Sequence, residues 1–298
     1  MMISEVLFKK IINSISQYGL SPEIGKRYYF KDTIKQYLLD PTSFLIFDCD
    51  GLNHISVELK GQDYRDALFS DYYYGKIRIK EQINNLQLQV NNVSQISWVL
   101  VTAYYASFFM ATEISKLCGK YIINFSDEDI KFILSQSYGV VSSDIKIDEP
   151  NYGYQVNVSH SENDKMIKLV FHKRSPRPHV EVWKNISEIV NQLDITDANL
   201  HLQTLFLNIC NESNDKWHNP SRIRNDWNYK FSNYYGEKGN SLGGLFYKNI
   251  RKYSSTMNWA GNRTIQPHDE NRVAGLSYIY HTLNKTVSSI NDRINFDL

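Results

Sequence analysis

The stretch from Ser94 to Gly119, SQISWVLVTAYYASFFMATEISKLCG, constrains the fold more than any other part of the chain. It carries no charge before Glu113, and its apolar and small residues recur at helical spacing. A buried helix is expected, with Ser94 as N-cap and Gly119 as its stop. Ala103, Ser107, Ala111 and Ser115 recur every four residues and define a stripe along which a neighbouring helix can approach closely. Trp98, Tyr105, Phe108, Phe109 and Met110 supply bulk elsewhere, and a helix apolar on most sides belongs at the centre of its domain. A membrane span is the competing reading. The continuous apolar and small run from Trp98 to Thr112 covers only about 22 Å of rise, against a hydrocarbon core of about 30 Å, so no membrane is expected as a partner.

A chain of 298 residues can bury a substantial core as one domain or two. Its formal net charge of +1 excludes a uniformly basic nucleic-acid coat and an acidic tail, while leaving room for a local patch. Cys49, Cys118 and Cys210 stand far apart without a C-x-x-C pair, which argues against a disulfide framework or a zinc cage and fits a reducing cytoplasm. No metal and no cofactor is expected. The N-terminus, MMISEVLFKKIINSISQYG, reads as an ordinary amphipathic helix and not as a signal peptide, because charges interrupt its apolar run.

Along the chain, helical periodicity returns repeatedly. Helices are expected near 31–39, from Arg78 to Val93, from Asp127 to Gln136 behind a Ser126/Asp129 capping box, and from Val182 to Leu193. Three more are expected: after Thr196 to about Asn211, from Ser221 to Tyr235, and from Val273 to Ile294. SFLIF and ISVEL flank the turn-prone DCDGLN as a small hairpin, in which Asp48 and Asp50 read as turn residues. YQVNVS and MIKLVFH alternate around SEND as a second hairpin near 154–172. HKRSPRPH, with Pro176 and Pro178, is expected to be non-helical, and the glycine-rich tract from Gly236 to His268 to be a loop. The fold class that follows is mainly α with a small β insertion.

AYYASFF in the central helix and SRIRNDWNY roughly 120 residues later together resemble the HEPN superfamily. That superfamily has an aromatic A-Y-Y-A-x-F helix and a later helix opening with an Arg and a polar residue. The resemblance covers four helices, near 94–118, 186–212, 220–236 and 270–296, and implies a HEPN-like four-helix bundle over residues 81–298 with a β-hairpin inserted at about 150–180. It says nothing of residues 1–80, which their own patterning gives as a helical and β-hairpin extension. The resemblance also implies a metal-independent endoribonuclease, acting on RNA as a homodimer in a bacterial antiphage defence or toxin system. Arg224 and Asn225 match the start of the family's motif. Where the family places its histidine, however, this chain has Tyr229, Lys230 and Phe231. The catalytic candidates are therefore Arg224 for the phosphate, with Asn225, Tyr229 or His218 assisting. Arg174 to His179 and Arg263 to His268 reproduce the Arg–His spacing literally, but prolines lie inside both, and they are set aside.

Nucleic-acid contacts are expected from Arg222, from Lys248, Arg251 and Lys252 among the aromatics of FYKNIRKY, and from Lys173, Arg174 and Arg177 of HKRSPRPH. Without a titrating histidine the alternative is a catalytically inactive module that senses or regulates a partner protein. The aromatics Trp227, Tyr229, Phe231, Tyr234 and Tyr235 suit the helix from Ser221 to Tyr235 for a twofold interface.

Overall fold

The structure, a computed structural model, describes residues 2–17, 32–49, 51–92, 95–137, 146–147, 149–160, 166–174, 177–214, 216–230, 234 and 236–293. The helices are α1 (Ile3–Ser16), α2 (Thr33–Leu38), α3 (Gly61–Asn91), α4 (Ile96–Leu117), α5 (Asp127–Ser135), α6 (Pro178–Asn191), α7 (Leu200–Cys210), α8 (Pro220–Asn225), α9 (Glu237–Arg251), α10 (Tyr253–Ala260) and α11 (Asp269–Arg293). The strands are β1 (Leu45–Cys49), β2 (His54–Lys60), β3 (Lys120–Ser126), β4 (Asn151–His160) and β5 (Met166–Arg174). The protein is mainly helical with one small antiparallel sheet.

Two compact units divide the chain, and neither is contiguous. Residues 1–10, 75–114 and 179–294 form a helical unit; residues 11–74, 115–178 and 295–298 form a unit that holds the whole sheet. The expected boundary at residue 80, with an insertion at about 150–180, is thereby corrected. The start of α1 belongs to the helical unit, where Ile3 and Leu7 are buried and Arg293 lies over the Phe8 ring. The two expected hairpins are not separate features. β2 pairs with β5, so the sheet order is β1-β2-β5-β4-β3. Its fifth strand, β3, alternates as the others do, with Tyr121, Ile123 and Phe125 buried. Asp48 lies within β1 opposite Ser56 and not in the turn, while Asp50 falls outside the described residues. Phe125, Tyr154 and Phe171 meet across three strands, with ring centroids 5.9–6.3 Å apart, and centre that unit's core.

In the helical unit α4 has the predicted stripe: Ala103, Ser107 and Ala111 are fully buried. Its bulky residues divide. Met110 is in the core, Tyr105, Phe108 and Phe109 are half-buried, and Trp98 is 50% exposed. Central position is shared with α11, buried almost without interruption from Val273 to Leu283. Ser94, the expected N-cap of α4, lies outside the described residues, but Gly119 has φ 75°, as a helix-terminating glycine should. α3 begins at Gly61, seventeen residues before the apolar spacing announces it. The capping box of α5 is formed on both sides, Ser126 Oγ accepting from the Asp129 amide and Asp129 accepting from the Ser126 amide.

The loop expected from Gly236 to His268 is mostly helix, α9 followed by α10. Phe246 and Ile250 are buried on the same face of α9 as Gly239 and Gly243, at helical spacing. The glycines mark close packing rather than turns. A side chain at Gly243 would run into Ile96 and Trp227, as one at Gly275 of α11 would press on Ile209.

Candidate active site

Three helices of the helical unit converge on Arg224. The first is α8. Asn219 caps it by accepting from the Arg222 amide at 2.7 Å, and Pro220 opens it, where a missing N–H costs nothing. The α-helical part ends at Asn225 and continues as one π-turn, Asp226–Lys230. The single helix expected from Ser221 to Tyr235 is thus corrected. In a π-turn, residues five apart come to one face, and Tyr229 accordingly meets Arg224. The guanidinium carbon stands 5.6 Å from the Tyr229 ring centroid.

The second helix, α4, contributes Tyr104 and Tyr105, whose ring centroids lie 5.3 and 5.8 Å from the same carbon. Three aromatic faces therefore surround one cation. Arg224 is only 8% exposed, no carboxylate among the described residues pairs with it, and its Nε has no hydrogen-bond partner. A buried guanidinium with spare donors and no counter-ion is costly by itself, and an anion offsets that cost.

The third helix, α6, supplies a histidine. Pro178 opens α6 as its first residue, which places His179 in the first turn. The Arg174-to-His179 match itself stays set aside, because Arg174 ends β5 and so shares no helix with His179. A proline at a helix start is favoured, however, and His179 enters the cluster on its own. His179 is half-buried against Phe108, the ring centroids 4.5 Å apart. Its Nδ1 lies 2.8 Å from the Tyr104 hydroxyl, which lies 3.3 Å from Ser221 Oγ, and Ser221 Oγ donates to the His179 carbonyl oxygen at 3.4 Å. These contacts close a loop. With Nδ1–H donating to Tyr104, Tyr104 donating to Ser221 and Ser221 donating to the His179 carbonyl, every proton is used once and Nε2 is left with its lone pair. Nε2 has no hydrogen bond to any described residue.

Electrostatics favour the same protonation state. Burial, and after it the charge of Arg224, hold the His179 imidazole below its ordinary 6.5, so it is neutral at pH 7. Burial raises the Tyr104 phenol, with Ser221, Trp183 and Arg224 pulling it partly back, so it stays protonated as the loop requires. The cluster combines a fixed cation, a neutral base and, at 70% exposed, the accessible phenol of Tyr229.

The other expected residues lie elsewhere. His218 is not beside Arg224; its Nδ1 is 3.9 Å from Asp226 Oδ2, and Arg222 Nε is the same distance from that oxygen. Asn225, half-buried at the end of α8, makes no side-chain hydrogen bond among the described residues. Lys248, Arg251 and Lys252 are exposed at the end of α9, with Arg251 over the Tyr247 ring, so this basic patch is helical rather than a loop. Lys173, Arg174 and Arg177 belong to the sheet-bearing unit, and Lys173 there pairs with Glu149 at 2.9 Å. Of the aromatics expected to form an interface, Trp227 is 2% exposed and already packed within the chain, and Phe231 and Tyr235 lie outside the described residues. Tyr104, Ser221 and His179 were missed as site residues, although Tyr104 stands inside the AYYA motif and Pro178-His179 has the form of a helix start.

Among the described residues no group of three or more His, Cys, Asp or Glu is arranged to hold a metal, the three cysteines are free, and no helix is long and apolar enough to cross a membrane. No family model matches the chain, and neither does any curated protein or solved structure.

Proposed function

We propose that the cluster around Arg224 and His179 cleaves RNA without a metal ion, as a HEPN-like endoribonuclease effector of a bacterial antiphage defence or toxin system. One observation carries the reading: a buried arginine whose Nε has no hydrogen-bond partner, and with no carboxylate paired to it among the described residues, shares a cluster with a half-buried histidine. RNA brings the two groups this pair serves, a phosphate for the guanidinium and a neighbouring 2′-hydroxyl for the base.

In the proposed step His179 Nε2 takes the proton of the 2′-hydroxyl, and O2′ attacks the adjacent phosphorus. The bond to O5′ breaks as the new bond to O2′ forms, leaving a 2′,3′-cyclic phosphate and a 5′-hydroxyl end. Arg224 stabilises the charge that builds on the non-bridging oxygens, and the Tyr229 phenol supplies the proton that O5′ requires. Tyr104 and Ser221 touch no substrate; they hold the imidazole in the tautomer that bares Nε2.

The test is incubation of the purified full chain with tRNA and mRNA in excess EDTA. We expect cleavage to fragments ending in cyclic phosphate, and a loss on the order of 10²-fold or more in Arg224→Ala and in His179→Ala, both still folded by circular dichroism. Equal cleavage by wild type and both variants would remove this cluster from the chemistry.

A further inference from the structure

His218 and Arg222, which do not reach Arg224, line a second cavity beside the same π-turn, with a volume of about 330 Å³. One wall is aromatic: half-buried Tyr234 faces the cavity, backed by Trp227, which is 2% exposed, with ring centroids 4.8 Å apart at 45°. Opposing charge is gathered by Asp226, a carboxylate only 8% exposed. Lys230 Nζ lies 3.2 Å from Asp226 Oδ1, whereas Arg222 Nε and His218 Nδ1 are each 3.9 Å from Oδ2, too far for a hydrogen bond. One carboxylate thus draws three nitrogen groups together and leaves most of their donors unspent. Arg272 completes the lining, with Nε donating to the Lys216 carbonyl oxygen at 2.7 Å and one terminal nitrogen to Asp269 at 2.8 Å.

Three cations, Arg222, Lys230 and Arg272, therefore line the cavity with two carboxylates, Asp226 and Asp269. At His218, after burial, the depressing effects of Arg222 and Arg272 both exceed the raising effects of Asp226 and Asp269. A cavity of about 540 Å³ along α6 and α7 has the opposite balance: Glu181, Glu188 and Glu212 outnumber Lys184 there and repel phosphate. An aromatic wall with exposed Arg and Lys beside it matches a ligand that is flat at one end and anionic at the other. A volume near the lower limit of the usual ligand-pocket range of about 300–1,000 Å³ admits one such unit.

We propose that this cavity binds one nucleoside monophosphate unit, its base against Tyr234 and its phosphate between Arg222 and Lys230. The unit comes either as a free nucleotide or as one residue of an RNA strand. The site is separate from the Arg224 cluster and does not depend on the cleavage reading.

Calorimetric titration of the full chain with adenosine monophosphate and with uridine monophosphate tests it, with inorganic phosphate and adenosine as partial ligands. Saturable binding of at least one monophosphate is expected, about tenfold or more tighter than either partial ligand. The double variant Arg222→Glu/Lys230→Glu should weaken it by about tenfold or more with the melting temperature nearly unchanged. Arg224→Ala should bind the nucleotide as wild type does, so failure of the cleavage proposal leaves this one standing. A tetranucleotide that binds tighter than the monophosphates and loses affinity in the double variant identifies an RNA strand as the occupant; one that binds no tighter identifies the free nucleotide. Absence of saturable monophosphate binding, binding unchanged in the double variant, or phosphate alone binding as tightly as the nucleotides would each overturn the proposal.

Discussion

Arg224 and His179 lie 45 residues apart in sequence, and what brings them together is a ring of hydrogen bonds that ties His179 through Tyr104 to Ser221, three residues before Arg224 on α8. Ser221 is the decisive link. In Ser221→Ala, Tyr104 loses its acceptor, its proton turns to His179 Nδ1, and the imidazole is driven to carry its own proton on Nε2, the wrong nitrogen for a base. The expected outcome is a kcat reduced about tenfold with KM nearly unchanged, together with a changed tautomer in the ¹⁵N spectrum of His179. A spectrum identical to wild type would refute the positioning role. Because burial and Arg224 depress the imidazole below 6.5, the acid limb of the kcat/KM profile should fall below pH 6.5, and replacing Arg224 with Gln should move the His179 titration upward. Arg224 was legible from the aromatic and arginine motifs. His179 was not, because the sequence rule applied to Pro178 was that for a helix interior, and only the position of the helix start decides between the two effects of proline.

At the scale of the element, α9 shows why glycine content misleads. Four glycines between 236 and 244 read as a loop, yet the segment is helical from Glu237, since packing of Phe246 and Ile250 outweighs a propensity cost of about 1 kcal/mol per glycine. Adjacent positions provide an internal comparison. Gly244 has open space around it, so Gly244→Ala should stabilise by about 0.5–1 kcal/mol in urea unfolding. At Gly243 the added methyl meets Ile96 and Trp227, and Gly243→Ala should destabilise by about 1–3 kcal/mol. Equal effects at the two positions would mean that α9 does not pack as described. Elements with an explicit chemical signal, such as the α5 capping box and the strand pairs β1–β2 and β4–β5, were readable. The π-turn had none, because no residue type in DWNYK favours i→i+5 bonding; it arises where Trp227 must be buried while Tyr229 stays out.

For the whole molecule, four histidines, His172, His179, His218 and His281, are held below their ordinary 6.5, with burial the leading cause in each. The folded state then binds fewer protons than the unfolded chain, so their contribution is intact above about pH 6.5 and is lost as pH falls through the depressed values. Thermal melting followed from pH 7.5 to 5 should show a falling midpoint; a flat profile would contradict these burial assignments. The helical class and the sheet's two hairpins were legible from periodicity, but the division into units was not, since periodicity reports which face of an element is buried and not which distant segment buries it. That division has a consequence for synthesis. The helical unit draws on the first ten residues, a middle segment and nearly everything after His179, and Arg224 is enclosed only once these have come together. A ribosome that stalls or a message cut short within α11 releases a chain whose Arg224 cluster has no complete unit to hold it. On the proposed function, truncation within α11 would then guard a cell against active fragments, because the Arg224 arrangement needs all three segments of the helical unit.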